Sequence, residues 1–137
     1  MASGFRPDHC RDSKNMKKIL IVDDEIELAQ IFDVALKASG YEVKIASNGK
    51  SGLAMAQAEP FDLILLDQMM PDLSGNEVLK TLKANEATKN IKVAMLTNFG
   101  HDEMVKEALF SGAVDYILKY QVSGDDIAPK VKSLLGE

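Results

Sequence analysis

Cysteine is almost absent: Cys10 is the single one in 137 residues. An internal disulfide is therefore excluded, and a reducing, cytoplasmic setting is the expectation. No apolar run approaches the ~20 residues that cross a bilayer, so a membrane span is not expected. The N-terminus is polar, unlike a secretory signal. Basic excess is lacking as well. The net charge is −5, and no basic stripe offers the footprint of a nucleic-acid binder. There is no internal repeat and no low-complexity run. What is there, 46% hydrophobic and 27% charged residues, suits one globular domain with one core.

Residues 1–15 lack periodicity and mix Gly, Pro, Asp, Ser and Asn. They are expected to form a disordered arm, or a tag or extended start ahead of Met16. His9 and Cys10, adjacent in that arm, do not have the spacing of a metal site. Residues 16–137 are the expected folded domain.

That domain is organised around residues 61–67, an apolar run that ends abruptly in Asp67 and opens into a Pro/Gly-punctuated loop through Gly75. Leu63, Ile64, Leu65 and Leu66 show no alternation, as in a strand buried on both faces. Four more runs read as strands: 19–22, 41–46, 91–96 and 114–118. Helical spacing separates them. Leu28, Ile31, Phe32, Ala35 and Leu36 share one face of a first helix closed by Gly40. A short Ala-rich helix follows Asn48 and ends before Pro60. Val78, Leu79 and Leu82 point inward from a third helix. Met104, Val105, Ala108 and Leu109 share one face of a fourth that starts at Asp102. Ser123 or Asp125 caps a last helix bearing Ile127, Val131, Leu134 and Leu135, with Pro129 expected near its first turn.

Five strands alternating with five helices predict an α/β fold, a doubly wound five-stranded parallel sheet of order 2-1-3-4-5 in the flavodoxin-like manner. In such sheets ligands bind beyond the carboxyl ends of the strands where the winding reverses. Asp23 and Asp24 end the first strand and Asp67 ends the third, so the two converge on one crevice. Thr97 and Lys119 end the fourth and fifth strands on the same edge.

Three clustered carboxylates repel: a pair ~4 Å apart costs about 4 kcal/mol at an effective dielectric of ~20. A proton, Lys119 or a metal must offset this. Oxygen ligands with room for water suit Mg²⁺, and Mn²⁺ can substitute. A carboxylate nucleophile can accept a phosphoryl group as an acyl phosphate, with Lys119 and Thr97 stabilising its oxygens. Taken singly, these residues have ordinary readings. Asp24 or Glu25 is equally a helix cap, Asp67 a turn acid, Thr97 a strand end, Lys119 a solvated lysine, Tyr116 a core aromatic and His101 a surface residue at a helix start. The shared location at four strand ends favours the joint reading.

The same residues resemble the receiver domain of two-component response regulators over nearly all of residues 16–137. Ile21-Val22-Asp23-Asp24-Glu25 looks like that family's acidic pair. Leu65-Leu66-Asp67, with Met70-Pro71 and Ser74-Gly75, looks like its phospho-acceptor loop, and Leu96-Thr97 and Tyr116-Ile117-Leu118-Lys119 look like its switch threonine, switch aromatic and lysine. The resemblance implies Mg²⁺ held by Asp23, Asp24, Asp67 and the backbone carbonyl of Met69. It implies phosphorylation of Asp67 by a histidine kinase or histidine phosphotransfer protein. Thr97 and Tyr116 would then move together and carry the signal to the face of the fourth helix, fifth strand and fifth helix. There a downstream protein, or a second copy in a phosphorylation-dependent homodimer, would bind. The chain reads as a stand-alone switch with no room for a DNA-binding output domain.

The pattern departs from the family at two positions. Tyr120 follows Lys119 where receivers carry a cis proline. A cis bond before a non-proline costs about 3–4 kcal/mol, so a trans bond is expected. Asn98 replaces a small residue after Thr97. Met69 and Phe99, two residues beyond Asp67 and Thr97, flank the approach of a hydrolytic water in receivers. Neither side chain orients water well, so a long-lived phosphorylated form is expected. Rival readings are an unphosphorylated interaction scaffold, favoured if Tyr120 disables the site, and a Mg²⁺-dependent phosphohydrolase. The second is disfavoured because Met69 stands where haloacid-dehalogenase-like phosphatases keep a second acid. A flavin binder would need a phosphate-binding loop in place of Asp23-Asp24.

Overall fold

The computed structural model describes residues 16–137; the arm or tag assigned to residues 1–15 lies outside the described residues. The chain alternates β1 (Lys18–Val22), α1 (Ile26–Ala38), β2 (Glu42–Ala46), α2 (Gly49–Ala58), β3 (Leu63–Leu66), α3 (Gly75–Ala84), β4 (Lys92–Thr97), α4 (Asp102–Phe110), β5 (Asp115–Leu118) and α5 (Gly124–Leu134). All strand pairs are parallel and the order is β2-β1-β3-β4-β5, as expected from the alternation.

The central strands are continuous apolar runs because helices cover both faces. Ile19, Ile21, Leu63, Leu65, Ala94 and Leu96 turn toward Phe32 and Leu36 of α1 and Ile127 and Val131 of α5. Leu20, Val22, Ile64, Leu66, Val93 and Met95 turn the other way, toward Ala56 of α2, Val78, Leu79 and Leu82 of α3, and Ala108 of α4. Ile19, Leu20, Leu63, Ile64, Leu65 and Leu66 are completely buried. Each such side chain contributes about 1.5–3 kcal/mol relative to exposure. That burial fixes the heights at which β1 and β3 end.

Some spacing-based expectations fail at the edges of helical stripes. Ile31 and Leu109 were expected to face inward but are 54% and 46% exposed. The stripe of α1 centres on Ala29, Phe32 and Leu36, leaving Ile31 on its flank, near Gly124 at the start of α5. In α4 only Ala108 is fully buried, and Leu109 lies one residue round from it. Pro129 is the sixth residue of α5 and so sits beyond the first turn. The first turn is where a missing N–H is harmless, so the helix forgoes one bond there. The start of α5 is secured by Asp126, whose carboxylate accepts the Ser123 N–H at 3.0 Å and hydroxyl at 3.1 Å. Among the described residues no peptide bond is cis, in line with the expectation for Lys119-Tyr120. A single 3₁₀ turn, Lys119–Gln121, follows β5 instead, and the sequence reading did not anticipate it.

The loop after β3 returns tightly to α3. Ser74 and Glu77 form a reciprocal cap: Ser74 Oγ accepts the Glu77 N–H at 3.1 Å, and Glu77 Oε1 accepts the Ser74 N–H at 2.8 Å. Gly75 donates its N–H to the Gln68 carbonyl at 2.7 Å. A Cβ on Gly75 would stand 2.4 Å from the Asp67 carbonyl oxygen and 2.8 Å from Gln68 Cα. Gly40 differs: its φ is +96° but no atom lies within 4 Å of an added Cβ. Gly75→Ala should therefore cost about 1–3 kcal/mol through overpacking and displace the Asp67 loop. Gly40→Ala should cost about 1 kcal/mol of backbone strain and leave that loop alone. Urea unfolding, with amide shifts of residues 67–75 as the second readout, checks both. Unmoved loop shifts in Gly75→Ala would show that this close approach does not hold the loop.

Candidate functional site

Parallel registry puts the site together. Val22 pairs with Leu66 and with Ala46, and Leu66 pairs with Met95. One residue further on, the Asp67 N–H donates to the Val22 carbonyl and the Asp23 N–H to the Ala46 carbonyl, both at 2.9 Å. Asp23 and Asp67 thus leave neighbouring strands at one level and are 1% and 4% exposed. Thr97 ends β4 opposite Leu118, and Lys119 follows directly. Both are buried, Thr97 at 0% and Lys119 at 5% exposure.

Lys119 is the hub. Its Nζ lies 2.7 Å from Asp23 Oδ2, 2.7 Å from Glu25 Oε1 and 3.3 Å from Asp67 Oδ2. Burial opposes the ammonium, but its bonds to Asp23 and Glu25 and the charge of Asp67 hold its pKa above the ordinary lysine value. Burial pushes the Asp23 carboxyl up to about 6, even though Lys119 and the Glu25 N–H pull it down. The departure at Tyr120 does not displace the lysine: Tyr120 is 71% exposed and points away from the core.

The cluster brings two of the expected acids, Asp23 and Asp67, together with a third, Glu25. Asp23, Glu25 and Asp67 each offer an oxygen within 4.8 Å of the others, whereas Asp24 is exposed and outside this set. Asp23 Oδ1 accepts the Glu25 N–H at 2.9 Å. This local turn brings Glu25 back over Asp23 and turns Asp24 to solvent. Glu25 stands at the N-cap position of α1 but makes no side-chain cap bond. It belongs to the site instead. The acid run was visible in the sequence; that the half-exposed Glu25 reaches Lys119 while Asp24 does not depends on this turn.

Oxygen-only donors of this kind fit Mg²⁺, a hard cation that favours carboxylates and keeps several waters. Three carboxylates against one ammonium leave two negative charges, which one divalent cation would balance. Asp23, Glu25 and Asp67 are the side chains the geometry offers for it.

The loop above the site is pinned. Asp72 accepts the N–H groups of Gly49 at 3.0 Å and Lys50 at 2.8 Å, at the N-terminus of α2, and its own loop's Leu73 N–H at 2.9 Å. Gln68, which sequence reasoning missed, is 2% exposed and takes part in the same loop. A lone polar residue after Asp67 carries no signal of burial. Thr97 Oγ1 accepts the Phe99 N–H at 3.3 Å, and Tyr116 donates its hydroxyl to the Phe99 carbonyl. Burial raises the Tyr116 pKa, and the charge of Asp67 adds to it. Met69 and Phe99 are 48% and 40% exposed, and Asn98 is exposed too. His101 is an exposed residue at the N-cap of α4.

Residues 19–132 match the family described as response regulator receiver domain. The phosphate regulon transcriptional regulatory protein PhoB of Pseudomonas aeruginosa is 40% identical over 119 residues, which cover 87% of this chain and 52% of that protein. ResD of Bacillus subtilis, a transcriptional regulatory protein, is 35% identical over 124 residues, covering 90% and 50%. The chain spans about half the length of these curated relatives. Among solved structures, a CheY-like receiver domain protein from Methanospirillum hungatei superposes with a TM-score of 0.81 at 36% identity, covering 88% of this chain and 94% of that one. Chemotaxis protein CheY4 of Vibrio cholerae gives 0.80 at 31%, covering 87% and 98%.

Lys119 is the counter-charge of the metal-free cluster, so its removal should be felt most without a cation. Lys119→Met should lose about 3–5 kcal/mol in chelator, the usual cost of stranding buried charges. Millimolar Mg²⁺ should restore more stability to it than to wild type. Thermal unfolding with and without chelator measures the difference; an equal Mg²⁺ effect on both proteins would remove Lys119 from this role.

Proposed function

The chain belongs to the response regulator receiver family, and on that premise we propose that it is a phospho-accepting signalling switch with Asp67 as the acceptor. The observation that carries this is the meeting of Asp67 with Asp23, Glu25 and Lys119 at the switch point of the sheet. A carboxylate oxygen of Asp67 forms the bond to phosphorus. The donor's P–N bond, or P–O bond in acetyl phosphate, breaks, and the leaving group departs with the electron pair. Mg²⁺, when held by these residues, would supply positive charge that lets an anionic donor approach an anionic cluster. Lys119 already sits 3.3 Å from Asp67 Oδ2 and is the cation for the transferred group's equatorial oxygens. Thr97 supplies a hydroxyl proton, since its oxygen, and not its proton, is used by Phe99. Asp23, Asp67 and the Met69 carbonyl are the proposed metal ligands. Asp24, exposed beside them, would be a fourth ligand, and Glu25 offers a further carboxylate oxygen within 4.8 Å of Asp23 and Asp67.

The proposed phosphoryl donors are a histidine kinase or a histidine phosphotransfer protein, and acetyl phosphate serves in vitro. Output is through a protein surface, in keeping with a net charge of −5. The proposed setting is cytoplasmic; no helix among the described residues is long and apolar enough to cross a membrane. Phosphorylation-dependent pairing of two copies is part of the proposal.

Acetyl phosphate with Mg²⁺ should add one phosphoryl mass to wild type and none to Asp67→Asn, read by intact mass. Labelling should disappear in excess chelator. An unchanged gain in Asp67→Asn would move the acceptor elsewhere.

The phosphorylated form should be long-lived. The half-exposed Met69 and Phe99 present a thioether and a phenyl ring, which cannot align a water for attack. Met69→Asn/Phe99→Glu should shorten the lifetime, by up to the ~10²-fold at the lower end of positioned acid–base assistance, measured by mass after removal of acetyl phosphate. Equal decay would mean that other groups set the lifetime.

A further inference from the structure

Gln68 follows the acceptor and is almost entirely buried. A buried amide needs partners for both ends. Its Oε1 accepts the Asn76 N–H at 2.9 Å, which fixes which end is oxygen. Nε2 therefore faces the other two groups, donating to Asn76 Oδ1 at 3.2 Å and to the Tyr116 hydroxyl at 3.5 Å. Tyr116 uses its own proton on the Phe99 carbonyl. The Gln68 main chain is held as well: its N–H donates to Asp67 Oδ1 at 2.8 Å, and its carbonyl accepts the Gly75 N–H. Gln68 is thus bonded directly to the acceptor at one end and to Tyr116 at the other. Thr97 does not take part in that path.

We propose that Gln68 is a positioning residue for Tyr116, and a route by which the state of the Asp67 carboxylate reaches that ring independently of Thr97. The inference rests on Asp67 being the acceptor. The two carboxylate oxygens have different partners, Gln68 N–H on Oδ1 and Lys119 on Oδ2. Converting the carboxylate to an acyl phosphate removes the shared negative charge and weakens the charge-assisted bond at Oδ1. The Gln68 main chain then loosens from Asp67. Its side chain keeps the two shorter bonds to Asn76, at 2.9 Å and 3.2 Å, and gives up the longest, at 3.5 Å. Tyr116 loses one of its two hydroxyl partners, and the balance of its ring orientations shifts.

The protein has three tyrosines, Tyr41, Tyr116 and Tyr120, so ¹⁹F NMR of 3-fluorotyrosine-labelled protein reads the ring directly, with Tyr116→Phe assigning the signal. Without any phosphoryl donor, Gln68→Met and Gln68→Glu both remove the amide donor, and Glu keeps an acceptor for Asn76. Each should move or split the Tyr116 signal, with populations changed about two- to twelvefold, the worth of one ordinary hydrogen bond. The Tyr41 signal should stay fixed, reporting an intact fold. A Tyr116 signal identical in wild type and in whichever of the two variants keeps the Tyr41 signal overturns the positioning role. With acetyl phosphate and Mg²⁺, the Tyr116 signal should still respond in Thr97→Ala and should fall still in Thr97→Ala/Gln68→Met. A static signal in Thr97→Ala whose intact mass carries the phosphoryl group overturns the Thr97-independent route. Absence of the mass gain in wild type would count against Asp67 as acceptor, and the donor-free measurement would still decide the positioning role.

Discussion

One ammonium facing three carboxylates is the constraint on which the rest of the structure depends. Lys119 has to be carried 5% exposed to the end of β5, within 3.3 Å of acids on two other strands. Nothing local to Lys119 can achieve this. It needs β1, β3, β4 and β5 to end at matched heights, which the parallel registry provides. It also needs a dry sheet, which Leu63–Leu66 and their helical covers provide. Poor hydration strengthens both attraction and repulsion at this edge. The cluster therefore stays sensitive to any added or removed charge.

Much of the fold could be read from the sequence because its strongest signals are long-range in consequence but local in form. Continuous apolar runs at 19–22 and 63–66 announce doubly covered strands, and their alternation with helical stripes sets the winding. Asp23, Asp67, Thr97 and Lys119 were legible as a group because each closes a strand. Where a residue's direction depends on one turn, the sequence was silent. Asp24 and Glu25 are both exposed acids at the same boundary, and the turn closed by the Glu25 N–H on Asp23 lets only Glu25 reach Lys119. Gln68 was invisible for a related reason: its burial comes from Asn76 and Tyr116, which are eight and forty-eight residues away. Ile31 and Leu109 were misread because periodicity defines a stripe's centre better than its rim.

The two faces of the sheet carry different duties. α1 and α5 close one side with large side chains, Phe32, Leu36, Ile127 and Val131. On the other side, α4 contributes one fully buried residue, Ala108, while its Phe110 is 94% exposed. With so little apolar anchoring, α4 and the loop ahead of it are free to shift at low cost. Thr97, Phe99 and Tyr116 meet at that loop. The segment that the site's hydroxyls touch is thus one with few buried apolar side chains.

The hydrogen bonds from Gly49 and Lys50 to Asp72 have a consequence for cooperativity. A helix of ten residues rich in Gly and Ala has little stability of its own, and its first turn is where fraying begins. Here part of that turn's cap is supplied by a residue from another loop, more than twenty positions along the chain. Helix α2 and the loop that follows Asp67 are therefore tied at this point, and opening either one gives up the bonds at Asp72. Loosening of that loop should therefore loosen the first turn of the helix as well.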